Sequence, residues 1–241
     1  MNQDALKLAA ARAALDYVDE GAVIGVGTGS TVDFFIEALG GVAHRVAGAV
    51  ASSERSSERL RAAGIEVFDL NDVVAADRPI PLYVDGADEI NVGLEMIKGG
   101  GGALTREKIV ADAAARFVCI VDQSKCVQTL GRFPLPIEVN RFGLAATTIA
   151  IRDAASRLGL AGALTLRGGE DPFVTDGGHL ILDASFGRIR DPEALSNALH
   201  LVPGVVEHGL FIGLATRAII AFPDGVRQMT PVPNDREFRS S

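Results

Sequence analysis

Three short stretches carry the residue types from which a proton-transfer site for a small anion can be built. G-V-G-T-G-S-T, residues 25–31, sets closely spaced backbone N–H groups beside the hydroxyls of Thr28, Ser30 and Thr31, with Gly29 between them. D-G-A-D-E, residues 85–89, gathers the carboxylates of Asp85, Asp88 and Glu89 around Gly86 and Ala87. K-G-G-G-G-A-L-T-R-E-K-I, residues 98–109, places Gly99, Gly100, Gly101 and Gly102 between Lys98 and the start of a helix. Each ordered glycine costs roughly 0.5–1 kcal/mol relative to alanine, so a run of them implies compensation, and a ligand that needs bare backbone is one candidate.

The first stretch leaves an apolar run and enters a helix, with Ser30 read as its N-cap. N–H groups, hydroxyls and the helix dipole then converge where an anion would sit, which suits a phosphate ester. A nicotinamide dinucleotide is a competing reading, because Gly25 and Gly27 match the first two glycines of G-x-G-x-x-G and Glu54 follows the second strand; Ser30, however, takes the third glycine's place. A tight turn without a ligand is a third. In the second stretch, carboxylates this close repel one another, which would keep one protonated near neutral pH and able to act as an acid. A Mg²⁺ site and a solvated turn are the alternatives there, and Lys98 offers an ammonium that balances the charge without metal.

The helix after the glycines holds the most pointed signal. At about 100° per residue, Ala103, Leu104, Val110, Ala111, Ala114 and Phe117 form an apolar stripe with Glu107 near its middle. Arg106 and Lys108 fall on either side and read as a solvent face. An inward carboxylate in apolar surroundings has its pKa raised toward the range of a general base; a structural salt bridge is the other reading. Lys98 and the N–H groups of the glycine run would face the same place and could meet an oxyanion. Lys125, in V-D-Q-S-K, either adds positive charge there or faces solvent. S-S-E-R-S-S-E-R-L, residues 52–60, reads as a helix cap with solvated serines. His44, His179, His200 and His208 have no metal-like spacing, and no metal site is expected.

Positioning these stretches requires strands that end at one edge. A helix over 4–19, with Leu8, Ala11, Leu15 and Val18 inward, precedes the strand A-V-I-G-V. A helix near 31–39, the strand R-V-A-G-A-V, a helix around 54–63, the strands E-V-F-D-L and P-L-Y-V-D, a helix from Ala103 to about Ala115 and the strand F-V-C-I-V follow. Bounded apolar strands alternating with helices predict an α/β fold, a Rossmann-like, mostly parallel sheet flanked by helices, with ligands at the carboxyl ends of its strands. From about Phe133 the pattern changes to the strand P-L-P-I-E-V, a helix near 143–158, the strand A-L-T-L-R, strands at 172–175 and 179–184, a helix opened by Asp191 and Pro192, and the strand V-V-E-H-G-L-F. That order predicts a second, smaller α+β (ferredoxin-like) domain of split β-α-β type. The expected division is an α/β catalytic domain over 1–131 plus about 210–230, the latter a terminal hairpin returning to the first sheet, an α+β domain over 132–209, and a flexible tail at 231–241.

Composition bounds the partners. The 241 residues are 48% hydrophobic, enough for a substantial core, and no apolar run approaches the roughly 18 residues of a membrane span. A formal charge of −8 without a basic cluster argues against nucleic acid and anionic membranes. Charges at Asp4, Lys7, Arg12, Asp16, Asp19 and Glu20 interrupt any signal-peptide core, and two isolated cysteines, Cys119 and Cys126, are expected as free thiols, so a cytoplasmic location is expected.

Taken in order and at this spacing, G-T-G-S-T, D-G-A-D-E, K-G-G-G-G-A-L-T-R-E-K and D-Q-S-K resemble type A ribose-5-phosphate isomerase. The likeness runs from the first helix with Lys7 through F-P-L-P-I-E-V and I-L-D to L-V-P-G-V-V-E-H-G-L-F and P-D-G-V, and fades over L-A-T-R-A-I-I-A-F and beyond Thr230. The resemblance implies interconversion of D-ribose 5-phosphate and D-ribulose 5-phosphate in the non-oxidative pentose phosphate pathway, with no cofactor or required metal, commonly in a homodimer. It places the general base on Glu107. Substrate-binding segments fall on Thr28 to Thr31, Asp85 to Asp88 and Lys98 to Gly101, with a further lysine at Lys125. The roles that follow are Asp85 as acid or base on the sugar oxygens, Glu107 moving the proton between C2 and C1, and Lys98 steadying a cis-enediolate. A phosphosugar sensor would use the same anion pocket but would have no need of an inward Glu107. A coenzyme A transferase or a sugar-phosphate deaminase on a related sheet lacks here its glutamate-in-glycine loop or its catalytic histidine.

Overall fold

The computed structural model describes residues 2–231, so the expected tail lies, but for its first residue, outside the described residues. The first half alternates as expected: α1 (Gln3–Ala14), β1 (Ala22–Val26), α2 (Ser30–Gly40), β2 (Val46–Ala51), α3 (Glu54–Ala62), α4 (Leu70–Ala75) and β3 (Tyr83–Asp85). Two very short strands, β4 (Glu89–Ile90) and β5 (Met96–Ile97), lead into α5 (Leu104–Ala113) and β6 (Phe117–Asp122). The second half holds β7 (Leu135–Val139), α6 (Leu144–Arg157), β8 (Leu164–Leu166), β9 (Leu180–Ala184), α7 (Pro192–His200), β10 (Val205–His208), β11 (Leu210–Phe211), β12 (Arg217–Phe222) and β13 (Gly225–Met229).

The central sheet has the order β13-β12-β6-β3-β1-β2, parallel throughout except for the β12–β13 hairpin, which returns to it as expected. From β1 the chain goes to one side to make β2, then crosses to the other side to make β3. The crevice between β1 and β3 is therefore where the strand order reverses, the place at which such sheets open to ligands. Strand residues on both faces are buried, with α1, α2 and α3 packing around Ile24, Val26, Phe35 and Leu39 on one side and α5 packing around Tyr83, Val110, Phe117 and Cys119 on the other. Each fully buried side chain of this size contributes about 1.5–3 kcal/mol through removal from water.

The smaller unit runs β7-α6-β8-β9-α7-β10 and pairs as an antiparallel sheet of order β10-β7-β9-β8, the ferredoxin-like arrangement, with α6 and α7 over its own apolar cluster of Ile137, Ile151, Leu182 and Leu195. A third small sheet, β11-β5-β4, joins the two. The expected strand V-V-E-H-G-L-F is split by Gly209, whose N–H donates to Pro136 O while its carbonyl accepts from Lys98 N–H.

Several expectations differ from the structure. Residues 66–70 make only a single bridge, Val67 to Ala49, because Asp69 turns to cap α4 by accepting from Asn71 N–H at 2.7 Å. Residues 172–175 form no strand; Phe173 is drawn against Gly102, and Thr175 donates its hydroxyl to Glu138. In α1 the inward stripe is Leu6, Ala10, Ala11 and Ala14, with Leu8 only half-buried, and the helix gives way to a 3-10 turn at Leu15.

Candidate active site

At the β1–β3 crevice the chain needs a residue without a side chain. A Cβ on Gly27 would lie 1.9 Å from Asp85 Cγ, so only glycine lets the turn after β1 close over the end of β3. The turn is locked there: Thr28 N–H donates to Asp85 Oδ1 at 3.0 Å, and Ser56 donates its hydroxyl to Gly27 O at 2.6 Å. Gly29, at φ 125°, rather than Ser30, is the N-cap of α2 and supplies no side-chain acceptor. The first-turn N–H groups of α2 consequently face the opening unblocked, the arrangement that favours an anion. The serines expected in solvent are inside: Ser52, Ser53, Ser56 and Ser57 are buried, and the Thr28 hydroxyl donates to Ser53 Oγ at 2.7 Å. Ser53 also caps α3.

Asp85, Asp88 and Glu89 do not act as one cluster. Asp85 is fully buried and accepts from Thr28 N–H, Gly86 N–H and the Tyr83 hydroxyl while pairing with Lys98 Nζ at 2.5 Å. Asp88 lines the opening and accepts from Gly100 N–H at 2.7 Å. Glu89 points the other way and accepts from Gly131 and Phe133 N–H. With a full set of partners, Asp85 stands behind the cavity wall rather than in it, which differs from the expectation of direct contact with sugar oxygens.

Lys98 is the hub. Its Nζ donates to Gly86 O at 2.8 Å and lies 2.5 Å from Asp85 and 3.1 Å from Glu107 Oε2. Burial works against its charge, but Asp85 and Glu107 outweigh burial and push its pKa above the ordinary lysine range. Glu107 is 2% exposed, as its place on the apolar stripe predicts. Among the described residues its Oε2 has no hydrogen-bond partner; Lys98 approaches close enough for an ion pair but off the hydrogen-bonding direction. Burial pushes the Glu107 carboxyl up to about 8, against the pull of the Lys98 ammonium and with Asp85 adding to the rise. An acid-base group with a free oxygen and a pKa near neutrality is suited to taking and returning a proton.

Thr28, Gly29, Ser30, Thr31, Gly86, Ala87, Asp88, Lys98, Gly99, Gly100, Gly101, Glu107 and Lys125 line one small cavity of about 90 Å³. Every expected site residue except Asp85 thus meets there. Lys125, on the turn after β6, makes no carboxylate pair among the described residues. The glycine run is less open than expected: Gly100 N–H is taken by Asp88 and Gly102 N–H by Gly99 O, while Gly101 N–H has no acceptor among the described residues. A Cβ on Gly100 would meet Asp88 Oδ1 at 2.6 Å. A larger hollow of about 460 Å³ lies beside Arg106, Arg61 and Phe68. Glu54 stands at its rim paired with Arg106 at 2.9 Å and does not line the cavity at the 25–31 turn, where the dinucleotide reading would need it.

Sequence reading missed Tyr83, whose hydroxyl holds Asp85 at 2.5 Å, because an aromatic inside an apolar strand looks like core. It also misread Lys108, which is mostly buried and donates to Glu207 Oε1 at 2.7 Å and to His208 O at 2.8 Å. His200, Glu207 and His208 come together away from the cavity, their ligand atoms within 4.8 Å of one another, a grouping their sequence spacing does not reveal. The Lys108 ammonium already occupies the Glu207 oxygen, and Leu210 N–H donates to His208 Nδ1. Cys119 and Cys126 are free thiols, the former buried with its pKa raised by that burial.

The family described as ribose 5-phosphate isomerase A (phosphoriboisomerase A) matches residues 48–225. Ribose-5-phosphate isomerase A of Sinorhizobium fredii is 51% identical over 236 residues, covering 95% of this chain and 99% of that protein. The crystal structure of ribose 5-phosphate isomerase A from Neisseria gonorrhoeae superposes with a TM-score of 0.86 at 40% identity, covering 96% of this chain and 98% of that one. A D-ribose-5-phosphate isomerase in complex with phospho-erythronic acid gives a TM-score of 0.85 at 34% identity, covering 95% of this chain and 100% of that one.

Proposed function

The chain belongs to the ribose 5-phosphate isomerase A family, whose reaction interconverts ribose 5-phosphate and ribulose 5-phosphate in the pentose phosphate pathway, and from that premise we propose that Glu107 is the base that moves the proton. One observation carries this: a buried carboxylate on the cavity wall, paired with the Lys98 ammonium but accepting no hydrogen bond at Oε2 among the described residues, with its pKa raised by burial to about 8. Glu107 takes the proton from C2 of the open aldose and returns it to C1 of a cis-enediolate, a transfer worth about 10²–10⁴ in rate.

The phosphate end fits the first turn of α2, where Ser30 and Thr31 sit with free N–H groups, and Lys125 supplies charge. That a structural relative was solved with phospho-erythronic acid supports a phosphorylated sugar acid as a ligand class for this pocket. Lys98 donates to Asp85 and Gly86 O and pairs with Glu107, so as Glu107 takes up the proton its ammonium turns to the developing oxyanion, and the Gly101 N–H is a second donor. Asp88 is the carboxylate in reach of the sugar hydroxyls, while Asp85 takes part in ring opening only through Lys98, which separates it from the cavity. The chemistry requires neither a cofactor nor a metal.

The reading extends to an α/β catalytic domain formed by 1–131 and about 210–230 with an α+β domain at 132–209, supported by the separate sheets and apolar clusters. It also includes a homodimer, which rests on the family resemblance, and a cytoplasmic location, which the two free thiols support; among the described residues no helix is long and apolar enough to cross a membrane. An absorbance assay for ketose formed from ribose 5-phosphate in the presence of EDTA tests the cofactor-free mechanism. Full activity is expected, and activity abolished by the chelator and restored by a divalent cation would overturn it.

A further inference from the structure

Arg167 ends the expected strand A-L-T-L-R and has no chemical role in the sequence reading, yet its guanidinium reaches the glycine run from the smaller unit. Nε and Nη2 donate to Asp183 Oδ2 and Oδ1 at 3.0 and 2.5 Å, a forked pair that fixes the plane of the guanidinium. Nη1 donates forward to Gly99 O at 2.9 Å and to Gly100 O at 3.3 Å, and the side chain is only 17% exposed.

A trans peptide unit is planar, so its C=O and N–H point in opposite directions. The Gly99–Gly100 unit is held at both ends, its oxygen by Arg167 and its N–H by Asp88. The Gly100–Gly101 unit is held at its oxygen alone. Its N–H, on Gly101, has no acceptor among the described residues, and Gly101 lines the cavity opposite Thr28, whose Cγ2 is 3.4 Å from where a Gly101 Cβ would be. Glycine imposes almost no preference on its own dihedrals, so without an external hold this peptide would rotate. A donor stabilises a transition state most when it is already aimed before charge develops.

We propose that Arg167 is a positioning residue: by gripping the Gly100 carbonyl from behind, it aims the Gly101 N–H at the enediolate oxygen. The proposal rests on the reading above, in which the glycine run serves the oxyanion. The smaller unit thereby takes part in catalysis without touching substrate.

The test compares Arg167→Ala and Arg167→Lys with Phe173→Ala, which removes the packing against Gly102 and the ring face 5.9 Å from the guanidinium but keeps the Asp183 fork and both bonds to the glycine carbonyls. For each, kcat and KM for ribose 5-phosphate are measured beside inhibition by inorganic phosphate and by the hydroxamate of a phosphorylated four-carbon sugar acid, whose planar C–N–O head takes the places of C2 and C1 of the enediolate. Arg167→Ala is expected to lower kcat at least tenfold with KM within about twofold, to weaken the hydroxamate by a similar factor and to leave phosphate binding unchanged, with partial recovery in Arg167→Lys. Equal kcat losses in Arg167→Ala and Phe173→Ala, or a rise in KM alone, would overturn it. If the unaltered enzyme binds the hydroxamate no better than phosphate, the oxyanion reading of the glycine run fails, and with it the aim assigned to Arg167; a kcat loss confined to Arg167→Ala would then show a grip that serves some other step.

Discussion

Replacing Glu107 with Gln tests the proposed base and the origin of its basicity together. The amide keeps the shape of the side chain and removes its ability to take a proton, so turnover should fall by about 10²–10⁴, or about 3–5 kcal/mol of barrier. The same change has a stability signature. Burial raises the carboxyl from 4.5 to about 8, so between those values the folded protein holds a proton that the unfolded chain has released. The stability arising from that proton is fully present below the unfolded value and is lost as pH rises through the folded one. At about 1.4 kcal/mol per tenfold in proton affinity, the loss is at most about 5 kcal/mol. Gln does not titrate and escapes it. The Tm of the variant relative to the unaltered protein should therefore climb by several degrees from about pH 5 to about pH 9, given roughly 2–4 °C per kcal/mol at this size. Ketose absorbance and thermal melts across that range read both effects. Turnover within tenfold of the original would remove Glu107 from the proton transfer, and a Tm difference flat with pH would show that burial does not raise its pKa.

Tyr83→Phe deletes the hydroxyl that holds Asp85 and should cost about 1–2 kcal/mol in denaturant unfolding together with a lower kcat, since Asp85 sets Lys98; unchanged values in both would refute the link. Lys108→Met strands the Glu207 carboxylate and should destabilise by about 2–4 kcal/mol, with Glu207→Gln added to it recovering part of the loss in a double-mutant cycle. His208, pushed down to about 3 by burial and by the Lys108 ammonium, should show imidazole NMR signals that do not titrate between about pH 5 and pH 8.

Much of this molecule was legible locally. Strands such as Ala22–Val26 and Phe117–Asp122 are apolar runs closed by turn signals, and Glu107 betrays itself by interrupting an apolar stripe. Residues whose meaning depends on distant neighbours were not. Ser52 and Ser53 look like an exposed cap until Thr28, more than twenty positions earlier, is seen against them. Lys108 looks solvated until Glu207, 99 positions away, closes on it. Arg167 meets Gly99 across 68 positions and has no local signature. Two-residue strands such as β4 and β5 are too short to show a period, and Asp69 turned an apolar segment into a helix start. The carboxylates of 85–89 were legible as chemistry but not as geometry, because Asp85 ends β3, Glu89 begins β4, and the turn between them at 86–88 sends the two strands into different sheets.

The bonds at Gly209 carry a mechanical consequence. Its carbonyl holds the Lys98 N–H, its own N–H holds Pro136, and β11 zips onto β5 just before Lys98, so the seam between the two units runs through the backbone of the lysine itself. A hinge that swung the units apart would tear that seam and pull the ammonium off Asp85. Opening this joint would therefore first cost the two backbone bonds at Gly209, whereas a swing of Lys125 at the cavity mouth would break no carboxylate pair among the described residues.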